Sequence, residues 1–131
     1  MSAPFPYQYV VLRAVPRIER EEFVNVGVAL FSEAAGVLEI LWRLDEPRLR
    51  ALHPGLDLEG LRQALAQLAE VCSRDEARLA GTDPPQKRRP GARFGWIAAP
   101  RSTVLQPGPV HGGITRDPHA QARRLLDLLV G

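Results

Sequence analysis

The chain has 131 residues, 45% of them apolar, with 17 basic against 15 acidic side chains and a formal net charge of +2. That length supports one domain that buries roughly two-thirds of its unfolded surface without disulfides or a structural metal. So even a charge balance excludes the strongly basic signature of a general nucleic-acid binder, and no run reaches the ~20 apolar residues of a membrane span. Met1 to Pro6 lacks the basic start of a signal peptide. With Cys72 as the single cysteine, no internal disulfide can form, and the sequence predicts a cytoplasmic protein.

Tyr7 to Val15 alternates and is rich in aromatic and β-branched residues, which predicts a strand that Pro16 ends by removing a backbone donor. Arg17 to Glu22 is a polar connection. Phe23 to Phe31 reads as a second strand, with Val24, Val26, Val28 and Leu30 on one face and Asn25, Gly27 and Ala29 on the other. After a turn at Gly36, Val37 to Leu44 forms a third strand whose Leu38, Ile40, Trp42 and Leu44 share a face, giving a hairpin with the second. These runs predict one antiparallel sheet with a buried side.

Asp45 and Pro47 open a short helix over Glu46 to Leu52, stopped by His53, Pro54 and Gly55. Asp57 caps a longer one. Its Leu58, Leu61, Leu65, Leu68 and Cys72 recur at steps of three and four, an apolar stripe made to lie on a sheet, and Cys72 reads there as a small buried hydrophobe. Gly81 to Gly91 is a loop by composition. Phe94 to Thr115 has no helical period, and two short strands are predicted in it, near Trp96 to Ala99 and Thr103 to Gln106, interrupted by Pro100, Pro107 and Pro109. Asp117 and Pro118 open a last helix with Ala122, Leu125, Leu126 and Leu129 on its apolar face. The predicted fold class is α+β: an antiparallel sheet of three early strands extended by late short strands, with two to three helices, among them the Asp57 helix and the last helix on one side, in a single domain over 1–131.

The late stretch also holds the candidate site. Arg101, Ser102 and Thr103 combine a guanidinium fork with two hydroxyls, a set suited to an oxyanion, while Gln106 and His111 add polar reach and Gly112 and Gly113 let a ligand approach the main chain. If the segment lies across the second strand, Asn25 joins Arg101 and His111 in one polar cleft. A hydrolytic reading would make Ser102 the nucleophile and His111 its base, oriented by Glu21, Glu22 or Asp117, but no glycine-framed serine elbow supports it. The duller reading has Arg101 pairing with Glu21 or Glu22. His53, His111 and His119 lack the helical spacing of a metal site, and neither metal nor cofactor is predicted. Lys87 to Arg93, KRRPGAR, could act as a mobile arm on phosphates, yet a run this short is usually a solvated loop, and nucleic acid is not the expected partner.

YQYVVLRAVPR and EEFVNVGVALF near the start, with FGWIAAPRSTVLQPGPVH near the end, resemble the bacterial family known as domain of unknown function 3037, over nearly the whole chain. The resemblance implies a small cytoplasmic protein with no assigned activity, catalytic residue or cofactor. It also implies a partner, because members are often encoded beside a kinase similar to the HipA persistence toxin. Two functional expectations follow: a non-catalytic accessory or interaction domain with a protein partner such as that kinase, or an enzyme or binder of a phosphorylated or anionic small molecule at the Arg101 and His111 cleft.

Overall fold

The computed structural model describes residues 3–73, 90–99 and 103–131. Strand β1 (Phe5–Ala14) is central to a five-stranded antiparallel sheet. On one side it pairs with β2 (Val24–Ser32), which pairs in turn with β3 (Val37–Trp42). On the other side, two short segments share its edge: β4 (Leu105–Pro107) opposite Leu12 to Ala14, and β5 (His111–Thr115) opposite Phe5 to Tyr9. The α+β class and the extension of the early sheet by late strands agree with expectation.

Alternation along β2 is broken where the sequence pattern had been read straight through. The register changes between Leu12, opposite Gly27, and Arg13, opposite Asn25, so Val26 is an extra residue in a β-bulge. Val26 is thereby buried with Ala29 in one core, while Val28 and Leu30 belong to the other. Asn25 consequently faces the same side as Val28 and Leu30, not the side of Gly27 and Ala29. Both sheet faces are buried over β2.

Helices account for this. The short α1 (Glu46–Leu52) and the long α2 (Leu58–Ser73) begin as predicted, with Asp45 accepting from the Arg48 N–H and Asp57 from the Gly60 N–H. Together with α3 (Pro90–Ala98), α2 covers the face that carries Val10, Leu12, Ala29 and Ile40; Leu65 and Ile97 there are fully buried. The last helix, α4 (Pro118–Leu129), capped by Asp117 accepting from the Ala120 N–H, lies on the opposite face against Tyr7, Val28 and Leu30. The helices thus cover two sides, because each strand of the hairpin carries apolar residues on both.

Residues 96–98 are helical, which corrects the strand expected near Trp96. Pro90 suits the first helical position, where its missing N–H is no loss, and Phe94 and Ile97 are three apart on the face that meets the sheet. Arg93 is 9% exposed on the same helix, so it is no part of a solvated arm. Lys87, Arg88 and Arg89, with the rest of the expected loop up to residue 89, lie outside the described residues.

Candidate functional site

The helix α4 lies over β2 and β3 and touches β1 only lightly. Among the described residues, no helix packs substantially on the same face of β4 and β5, and on β1 the Tyr7 end lies under α4. In β1 the side chains on that face are Tyr7, Tyr9, Val11 and Arg13; Tyr7 is buried under α4, where its hydroxyl accepts from Gln121 Nε2 at 3.0 Å. Tyr9, Val11 and Arg13 are only half-buried. Register then fixes their neighbours: His111 opposite Tyr9, Val28 opposite Val11, and both Asn25 and Gln106 flanking Arg13.

At one end of this shelf the rings of Tyr9 and His111 pack with centroids 5.2 Å apart at 31°. At the other end the Arg13 guanidinium carbon stands 4.1 Å from the centre of the Phe23 ring, a cation–π contact. Gly108 also lies against the guanidinium: a Cβ there would stand 3.0 Å from the same carbon. Gly108 belongs to a second bulge: residues 108–110 face only Val10 and Val11, between the β4 and β5 registers. Two bulges, one on each side of β1, therefore set the surroundings of Arg13. Beside Phe23, a small groove of about 280 Å³ is lined by Asn25, Arg48 and Leu129.

Among the described residues, those of the sequence-predicted site are distributed over two places. Asn25 is on the α4 side, but its Nδ2 donates to the Leu129 carbonyl at 3.1 Å and its Oδ1 is buried without a partner among the described residues. His111 is exposed on the same face, two strands away and offset by four residues of β1, about 13 Å along the strand. Gln106 sits beside Arg13 and donates to the Thr103 carbonyl at 2.8 Å; the Thr103 hydroxyl donates to the Leu105 carbonyl at 2.8 Å. Thr103 lines a different, mostly apolar groove of about 530 Å³ between α2 and α3, with Leu61, Ala64, Leu68 and Trp96. Arg101 and Ser102 lie outside the described residues. Sequence reasoning overlooked Arg13, Tyr9 and Phe23 as a surface. The available signal was a lone arginine inside an apolar strand, whose side alternation assigns away from Leu12 and Ala14.

Glu22 pairs with Arg20, and Asp117 caps α4, so neither orients His111. Among the described residues, a histidine–carboxylate contact lies elsewhere: His119 Nδ1 is 2.6 Å from Glu39 Oε2 on the surface between α4 and β3. Among the described residues, no group of three or more His, Cys, Asp or Glu side chains could hold a metal ion. Burial pushes the Cys72 thiol up to about 11, opposed in part by Arg93, so it is a poor nucleophile at neutral pH. No described helix is long and apolar enough to cross a membrane. The described face presents aromatic, aliphatic and cationic side chains from adjacent strands.

An α+β domain with a doubly bulged sheet, one of its faces half covered, is the class that these features define. Within that class the chain belongs to the family described as "Protein of unknown function (DUF3037)", whose model matches residues 9–130. Among curated proteins it is similar to the pimeloyl-[acyl-carrier protein] methyl ester esterase of Xanthomonas axonopodis pv. citri (strain 306), 32% identical over 113 residues. That match covers 80% of this chain and 43% of the esterase, so the chain spans less than half the length of that relative. No solved structure matches.

Proposed function

We propose that this chain is a non-catalytic protein-interaction domain, and that it binds through the part of the sheet face left open by α4. The observation that carries this reading is the half-burial of Tyr9 and Val11 in the central strand of the sheet, next to an exposed His111 packed on Tyr9. Central strands ordinarily have both faces covered when helices pack on both sides. Aromatic and aliphatic side chains left part-exposed on a rigid sheet are the composition of an interface core, and an arginine at the margin is typical of one. Hydrolysis of the kind named for the similar esterase has no support in the residues, since none of Ser2, Ser32, Ser73 or Ser102 sits in a glycine-framed elbow.

The kinase partner implied by the family resemblance belongs to this proposal, as does a bacterial cytoplasmic setting. Photo-crosslinking tests it. A crosslinking amino acid placed at Val11 is expected to capture one identifiable protein in stoichiometric yield from the source organism, and the same group at the exposed Gln67 of α2 is expected not to. Capture of that partner at position 67 and not at 11 would move the interface to the α2–α3 groove and refute the reading.

A further inference from the structure

The open face contains a cation that is held in place without being paired. Arg13 lies between Asn25 on β2 and Gln106 on β4. Its guanidinium carbon stands 4.1 Å from the centre of the Phe23 ring and lies against Gly108, whose missing side chain is what admits it. Nε is buried with no hydrogen-bond partner among the described residues. Ion pairs in the described residues engage Arg17, Arg20, Arg43, Arg62 and His119, and not Arg13. A partly desolvated guanidinium without a counter-charge is unfavourable in the free protein, and the cation–π contact offsets only part of that cost.

We propose that Arg13 receives the carboxylate of an acidic residue in an extended segment of a partner protein. This rests on the reading of the open face as an interaction surface. The guanidinium fork matches a carboxylate, and the contacts with Phe23 and Gly108 restrict its position before binding. A carboxylate borne on a chain is held by its neighbours as well as by the guanidinium. The neighbouring side chains define that chain. Arg13, Val11 and Tyr9 follow one another on the same face at about 6.6 Å per step of two residues. An extended segment aligned with β1 has the same spacing, so the acidic residue is followed or preceded by apolar residues two and four positions away.

The test uses the full chain, labelled with ¹⁵N, and two peptide probes, Glu-Thr-Val-Thr-Phe and its reversed sequence, each beside a version with Gln for Glu. With at least one acidic peptide at millimolar concentration, the Arg13 Nε–H signal and the backbone amides of Tyr9, Val11 and Gln106 are expected to shift. The Gln version, or Arg13→Gln with the acidic peptide, is expected to bind roughly ten-fold more weakly. Arg13→Lys should recover part of the loss. If Arg13→Gln does not fold, the Glu-against-Gln comparison on the unaltered chain decides. Equal binding of Glu and Gln peptides, or shifts confined to other surfaces, or no shift at all, overturns the proposal. Inorganic phosphate moving the same signals as strongly as the peptide also overturns it, in favour of a free-ion site. A partner crosslinked at position 11 but indifferent to Arg13→Gln would leave the interaction surface standing and remove only the carboxylate receptor.

Discussion

Asn25 and Leu129 are joined across 104 positions of sequence: the Asn25 side-chain amide donates to the Leu129 carbonyl at 3.1 Å. The β2 bulge turns Asn25 to this side, and the bond ties it to the last turn of α4, where helix carbonyls have no intrahelical donor. Arg48 Nη1 and Arg43 Nη1 extend the arrangement, donating to the carbonyls of Val130 at 3.1 Å and Gly131 at 2.7 Å. Asn25 is therefore a clamp on a helix end. Asn25→Ala should cost about 1–2 kcal/mol in urea unfolding and speed amide exchange selectively in the last turn of α4.

Two glycines should respond in opposite directions. A Cβ at Gly27 would stand 2.7 Å from the Leu41 carbonyl oxygen and 3.1 Å from Trp42 Cβ, so β2 and β3 would have to part. Gly27→Ala is expected to lose about 1–3 kcal/mol. At Gly95, inside α3, a Cβ meets nothing within 4 Å. Gly95→Ala should gain roughly 0.5–1 kcal/mol from helix propensity, read as a higher melting temperature.

Cys72 makes an alkaline prediction. Burial raises its thiol from 9.0 to about 11, Arg93 working against the rise and Glu39 with it. The folded chain therefore holds this proton where the unfolded chain has released it. Its contribution to stability is complete below pH 9.0 and is lost as pH rises through about 11. Cys72→Ala should flatten that part of the pH–stability curve. Iodoacetamide should barely modify the folded protein at neutral pH and should react readily once urea unfolds it.

Trimming His111 probes the shelf itself. The ring is exposed and packs on Tyr9, with no hydrogen bond among the described residues to replace. His111→Ala should change stability by no more than about 0.5 kcal/mol. Under the proposed function it should nonetheless weaken capture of the partner at position 11, which separates a binding role from a structural one.

Much of the architecture was legible because burial wrote it as periodicity. The step-of-three-and-four stripe of α2 and the caps Asp45, Asp57 and Asp117 gave helices where they occur. The failures have identifiable causes. Alternation in β2 assigned Asn25 to the wrong face because a bulge adds Val26 without any local marker. Trp96 and Ile97 favour strands intrinsically, but a nine-residue helix starting at Pro90 buries Phe94 and Ile97 against the sheet, and tertiary packing prevailed. The strand β5, with Gly112 and Gly113, has almost no propensity of its own and exists because the edge of β1 supplies its partners. Least legible was the shelf of β1: the exposure of Tyr9 and Val11 depends on how far α4 extends across the sheet, which no local pattern encodes.

Partner recovery from the source organism with two single substitutions tests the central claim most directly. Val11→Glu alters the open face and Gln67→Arg alters the α2–α3 groove, each verified by an unchanged thermal transition. The account predicts that the stoichiometric partner is lost with Val11→Glu and retained with Gln67→Arg. Retention with the first and loss with the second would contradict it.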